Sequence, residues 1–265
     1  MRYAPNTNLR RAWYALGTVG TVLALVILAT SLLLRIATQT TLDGHTQSVL
    51  SPALEQASRL LHRLTASGVG VLALLATVMC FRKESLAPGI KQASALVLVT
   101  TASLAAIGPL TPGYHIAAVT VLNVGLGSIL LLSFWRLREI AIAAPHTPRP
   151  LSRLALFTLT AFMLHIGTGA AAAASSQWLP SLDLNVWLHL ASAVGLMVLI
   201  ALLMRQHRKS AVVSTVKVFR YLMVGQILLG GLMMVLDERP IWVNFAHGMV
   251  SALLALLLLA LIHRQ

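Results

Sequence analysis

Eight stretches of this chain, at roughly 12–36, 50–81, 92–110, 113–135, 152–175, 183–204, 218–236 and 240–262, are apolar runs broken by few or no charges. Each reaches or approaches the ~20 residues that carry an α-helix across a hydrocarbon core about 30 Å thick. No water satisfies a bare peptide group in that medium, so such a run has to close its hydrogen bonds within itself, as a helix. Composition agrees. Charged residues make up 10% of the chain and hydrophobic ones 57%, against the ~25% charged of a soluble domain. The fold class is therefore all-α: a polytopic membrane protein with eight transmembrane helices. The first run is too long for the apolar core of a signal peptide and reads as a span.

The net charge of +13 raises the question of nucleic acid, and the distribution of charge answers it. The basic residues sit in short connections between apolar runs, with no extended groove and no aromatic interleaving, so nucleic acid is excluded and the lipid bilayer is the partner. Of the 20 basic residues, only Arg35, Arg59, Arg63 and Arg239 fall on the face opposite the N-terminus; the other 16, from Arg2 to Arg264, share the N-terminal face. By the positive-inside bias this fixes both termini inside, which an even number of spans requires. The expected location is a cell membrane, plasma or inner, crossed several times. A single cysteine, Cys80, leaves no intramolecular disulfide and no multi-cysteine metal site.

The connection A-P-H-T-P-R-P, Ala144 to Pro150, is proline-rich and divides the chain into an N-terminal half, 1–143, a linker, 144–150, and a C-terminal half, 151–265. Each half holds four spans, and the second and fourth of each carry a histidine: His62 and His115, then His189 and His247. Aligned on the histidines, Leu61, Val71 and Leu72 fall on Leu188, Val198 and Leu199. The expectation is two pseudo-symmetric four-helix bundles related by an axis along the membrane normal.

Ionisable groups inside a membrane are costly, so these four histidines need an explanation. All lie near the outer ends of their spans, and at ~1.5 Å per residue each pair comes level. Two imidazoles facing one another across a bundle core suit a six-coordinate heme iron. Two other arrangements stay open: four histidines hydrogen-bonded between helices, and a zinc site, which ordinarily gathers carboxylates or cysteines that no span supplies at depth. His165, in the fifth span, has no counterpart in the first half, which suits packing or lining a cofactor edge.

The runs H-R-L-T-A-S-G-V-G from His62 and L-H-L-A-S-A-V-G from Leu188 carry a further signal. So do G-Q-I-L-L-G-G-L-M-M-V-L-D from Gly225, P-I-W-V-N-F-A-H-G from Pro240 and, more loosely, L-L-R-I-A-T-Q-T from Leu33. In order and topology they resemble the heme A synthase family over nearly the whole chain. The resemblance implies that His62 and His115 hold heme O, the substrate, and that His189 and His247 hold a heme b cofactor. It implies oxidation of the C8 methyl of heme O in two steps, with loss of water, to the formyl group of heme A, which serves cytochrome oxidase. A heme O donor enzyme and an electron donor of unknown identity are the implied partners, and a homo-oligomer is compatible with it.

The chain departs from that family in three places. Arg59 stands three residues before His62, where the family carries a glutamate, and the nearest acid is Glu55, two turns before His62 on a similar helix face. The family's outer-loop cysteine pair is missing, as is its Pro-Asp-Trp-Pro signature. A catalytic role therefore falls to Glu55. Arg35, Arg59, Arg63 and Arg239 are candidates for pairing heme propionates, which favour guanidinium forks. Trp178, Trp187 and Trp242 are expected in an outer aromatic belt, Trp13 and Trp135 in an inner one. Two alternatives accompany this reading: a di-heme b electron-transfer cytochrome, and a heme-binding or assembly protein without catalysis.

Overall fold

A computed structural model describes residues 7–40, 46–48, 50–81, 88–110, 117–142, 153–175, 184–206, 213–236 and 241–263. The helices are α1 (Thr7–Ala37), α2 (Pro52–Phe81), α3 (Pro88–Ile107), α4 (Ala117–Ile142), α5 (Arg153–Ser175), α6 (Leu184–Gln206), α7 (Val213–Val235) and α8 (Ile241–His263). All eight are long and apolar enough to cross a bilayer, so this is a multi-pass membrane protein. Between α1 and α2 lies a short strand pair that the apolar runs did not signal. Strands β1 (Thr38–Thr40) and β2 (Thr46–Ser48) pair antiparallel, Gln39 opposite Gln47.

The helices are sided in the way hydrocarbon demands. On α2 the buried stripe is Ser58, Thr65, Val69, Ala73 and Ala76, while Leu60, Leu61, Leu64, Val71, Leu74 and Leu75 are exposed. Small and hydroxyl-bearing residues face the protein and large aliphatics face outward, because lipid offers leucine as good an environment as a core does. Six buried or partly buried hydroxyls are satisfied by their own helix, whereas those of Ser94 and Thr101 are buried without a partner among the described residues. Thr21, Thr65, Thr100, Ser128, Ser133 and Thr158 each donate to the carbonyl four residues back.

In the first half, α1 packs on α2, α2 on α3, α3 on α4 and α4 back on α1, a closed ring. In the second half α5 packs on α6, α7 on α8 and α5 on α8, while the backbones of α6 and α7 stay further apart and the two helices meet through buried side chains, Leu203 and Phe219 among them. Contacts of α4 with α5, α1 with α8 and α4 with α8 join the two sets. The closest approach is between α1 and α4. A Cβ on Gly17 would meet the backbone of Arg138, and one on Gly20 would lie 2.1 Å from the nearest ring carbon of Phe134. Trp13, expected in an aromatic belt, is instead 1% exposed within this core. The glycines bring α4 so near that the Trp13–Leu16 face of α1 is covered by protein, while Arg11, Tyr14 and Ala15 stay exposed.

Four helices extend clearly beyond their apolar runs. α1 begins at Thr7, not near 12, α3 at Pro88, not near 92, and α7 at Val213, not near 218, while α4 continues to Ile142, past the expected 135. Arg10 supplies part of the reason, donating from Nε to the carbonyl of Ala141 (3.1 Å) and from Nη2 to that of Ile142 (3.0 Å). These carbonyls have no partner within their own helix, and an arginine capping them lets α4 run on beyond its apolar stretch. Arg138, one turn earlier, pairs with Glu139 at 2.7 Å and lies over the ring of Trp135, 4.5 Å from its centroid.

Candidate functional site

His62 stands on the buried stripe of α2, four residues after Ser58 and three before Thr65. Its Nδ1 is 3.1 Å from Oγ1 of Thr30 on α1. The Thr30 hydroxyl already donates to the carbonyls of Val26 and Ile27. Its oxygen therefore accepts from His62, the proton sits on Nδ1, and Nε2 keeps a lone pair. His115, the expected mate of His62, lies outside the described residues, as does Arg239.

In the second half three histidines meet. His165 on α5 and His189 on α6 stack at 4.2 Å between ring centroids, 8° from parallel, and His247 on α8 approaches His189 at 6.4 Å and 73°. His189 Nδ1 lies 3.3 Å from the His165 carbonyl and 3.3 Å from Oγ1 of Thr168. A carbonyl only accepts, so Nδ1 carries the proton here too. Ser192 donates to the carbonyl of His189 and accepts from Nδ1 of His165 at 2.8 Å. Two hydroxyls thus fix both imidazoles of the α5–α6 pair with Nε2 unprotonated.

The α7–α8 pair is built from an amide. Gln226 Nε2 donates to His247 Nε2 at 3.1 Å and to Ser251 Oγ at 2.6 Å. This makes His247 a third Nδ1-protonated imidazole, but its Nδ1 is buried without a partner, and so is Oε1 of Gln226. An unmet buried donor or acceptor costs about 1–3 kcal/mol. Two at one place mark the spot in the second half where hydrogen bonding alone does not close. Glycines make room for the rings: a Cβ on Gly169 would lie 2.8 Å from His189 Cε1, and one on Gly230 3.3 Å from His247 Cε1.

Heme ligation is a test this geometry can be put to. Metal–nitrogen bonds of about 2.0 Å and roughly 1.1 Å from each nitrogen to its ring centre place trans imidazoles about 6 Å apart. The His189–His247 separation of 6.4 Å fits. A His189 imidazole that gives Nδ1–H to a backbone carbonyl and keeps Nε2 unprotonated is the usual arrangement for a metal-ligating histidine. Among the described residues no three histidine, cysteine or acidic side chains are placed to hold a metal ion by themselves. A surface cavity of about 350 Å³ lies elsewhere, at Arg10, Arg11, Tyr14, Ala141 and Ile142. It is roughly 30 Å along α1 from Thr30 and plays no part in the histidine site.

The charged candidates lie apart from the rings. Glu55 is bound to Arg59, from whose Nε and Nη2 its Oε1 accepts at 2.9 and 2.7 Å. Arg63 is exposed and Arg35 half-buried at the end of α1. The Glu55–Arg59 pair is an i,i+4 surface bridge with Arg59 56% exposed, worth only about 0.3–0.5 kcal/mol. Replacing Glu55 by glutamine should leave thermal stability in detergent within about 0.5 kcal/mol of the parent; a larger loss would mean that Glu55 bears on the packing of α2.

Thr30, Thr168, Ser192, Gln226, Ser251, Gly169 and Gly230 were not singled out in the sequence, although a signal for three of them is there. Each described spanning histidine is followed three or four residues later by a hydroxyl that donates to its carbonyl: Thr65 for His62, Thr168 for His165, Ser192 for His189 and Ser251 for His247. Thr30 and Gln226 come from other helices and carry no local mark. The chain matches no protein-family model and no curated protein sequence.

Proposed function

We propose that this chain is a heme A synthase-like membrane oxidoreductase, with a substrate half and a cofactor half. The observation that carries the reading is the His189–His247 pair, 6.4 Å apart between α6 and α8. In this reading His189 and His247 hold heme b, and His62 and His115 hold heme O. The two halves are pseudo-symmetric bundles with both termini inside. The repeat is supported by two matching pairs: α1 packs on α2 as α5 does on α6, and α3 on α4 as α7 does on α8.

Bound heme would supply the oxidising iron chemistry. The chain's own part is to hold and orient. Thr30 keeps the Nε2 lone pair of His62 available, and Thr168 with the His165 carbonyl does the same for His189. The outward aliphatic faces keep water from the rings. Arg35, Arg63 and Arg239 are the side chains offered to propionates, with Arg59 shared with Glu55. A heme O donor enzyme, an electron donor and the oxidase that takes heme A are the partners this reading requires, in a plasma or inner membrane.

One observation favours a second reading, a heme-binding or assembly protein without chemistry. Among the described residues the acid that precedes His62 on α2, Glu55, is held by Arg59. Extraction separates the two. Chain produced in cells supplied with heme O should yield hydroxylated or formyl porphyrin by mass spectrometry. Unmodified heme alone in that extract removes the enzyme and leaves the binding protein.

A further inference from the structure

We infer that the second half takes up heme in two ordered steps, His189 ligating first and His247 only after the Gln226 amide has left it. This rests on the heme reading of the same site and adds the order of binding and the residue that controls it. An imidazole nitrogen has one lone pair. On His247 Nε2 that pair is engaged by the Gln226 amide at 3.1 Å, and it cannot serve a donor hydrogen and a metal together. On His189 the ring's hydrogen-bonding contacts both fall on Nδ1, with Thr168 and the His165 carbonyl. Nε2 has no hydrogen bond among those of the described residues. The two ligands of one site are thus unequal: one nitrogen is ready, the other capped.

The cap is weakly held. Gln226 reaches its partners with one side of its amide, and the other polar atom, Oε1, is buried with nothing to bond. Turning the amide over exchanges which atom is stranded and strands one all the same. Leaving His247 therefore costs Gln226 one good contact, not two. α7, which carries Gln226, is also the helix with the least of its span buried. The capping residue thus stands on the helix least enclosed by the rest of the described protein.

Full-length chain purified without heme, in detergent or lipid discs, and mixed rapidly with hemin tests this. The parent should give a high-spin, five-coordinate absorption spectrum first and a low-spin, six-coordinate one second. Gln226→Leu, similar in size but without a donor, should speed the second phase about two- to tenfold, the range one neutral hydrogen bond commands, and leave the first unchanged. Gln226→Glu offers His247 a carboxylate, draws the ring proton to Nε2, and should slow the second phase. If Gln226 only braces α7 on α8, Gln226→Leu will melt earlier and its second phase will be no faster, and the inference falls while the heme reading stands. A parent chain that takes up no hemin overturns both.

Discussion

On the heme reading proposed above, replacing His189 by alanine is expected to abolish the low-spin heme spectrum of the C-terminal half and to lower the bound heme by one equivalent per chain. The effect is large because three arrangements converge on this ring. Its Nε2 is left free by the hydrogen bonds on Nδ1, it stacks on His165 at 4.2 Å, and it sits 6.4 Å from His247. Truncation removes the ligand and leaves a hole beside a second buried histidine, whose own ring centre lies 4.2 Å from the one removed. The measurement is heme content by pyridine hemochrome together with the reduced-minus-oxidised spectrum. His62→Ala is the matched control and should spare this signal. An unchanged spectrum in His189→Ala would end the pairing of His189 with His247.

Gly20→Leu is expected to be the most damaging single substitution away from the histidines. The first side-chain carbon alone would lie 2.1 Å from the nearest ring carbon of Phe134, far inside van der Waals contact, and Phe134 is fully buried. Overpacking a core ordinarily costs about 1–3 kcal/mol, and a clash with a rigid aromatic at a helix crossing belongs at the top of that range or above. α1 and α4 would have to part, taking with them the Arg10 caps on Ala141 and Ile142. Size-exclusion of the detergent-solubilised variant should show aggregation, or melting many degrees below the parent. Gly70→Leu, at a position where an added Cβ meets nothing, should behave as the parent does.

Much of the fold could be read directly. The eight spans follow from runs of residues that hydrocarbon accepts and water does not, and all eight appear. The ends were harder: nothing local in Arg10 says that it will cap a helix more than 130 residues away, and so the extent of α4 was missed. Trp13 was misread for the same reason, since the partner that covers it is drawn in by Gly17 and Gly20 rather than by any property of tryptophan. At the site, histidine spacing selected His189 and His247, which do meet. It set His165 aside as unpaired, and the structure stacks it on His189. A repeat compares one half with the other, so it does not register a contact made by only one of them.

The contact of α8 with α1 has a consequence for how the protein is made. α1 emerges first and α8 last, and roughly 200 residues separate the end of one from the start of the other. At about 5–20 residues per second that is a wait of roughly 10–40 seconds, with one face of the first helix against lipid or an insertion partner. Synthesis of the first four helices closes their ring without finishing the core. The centre of the molecule is completed only by the final helix, so an interrupted chain leaves its earliest segment exposed as well as its latest.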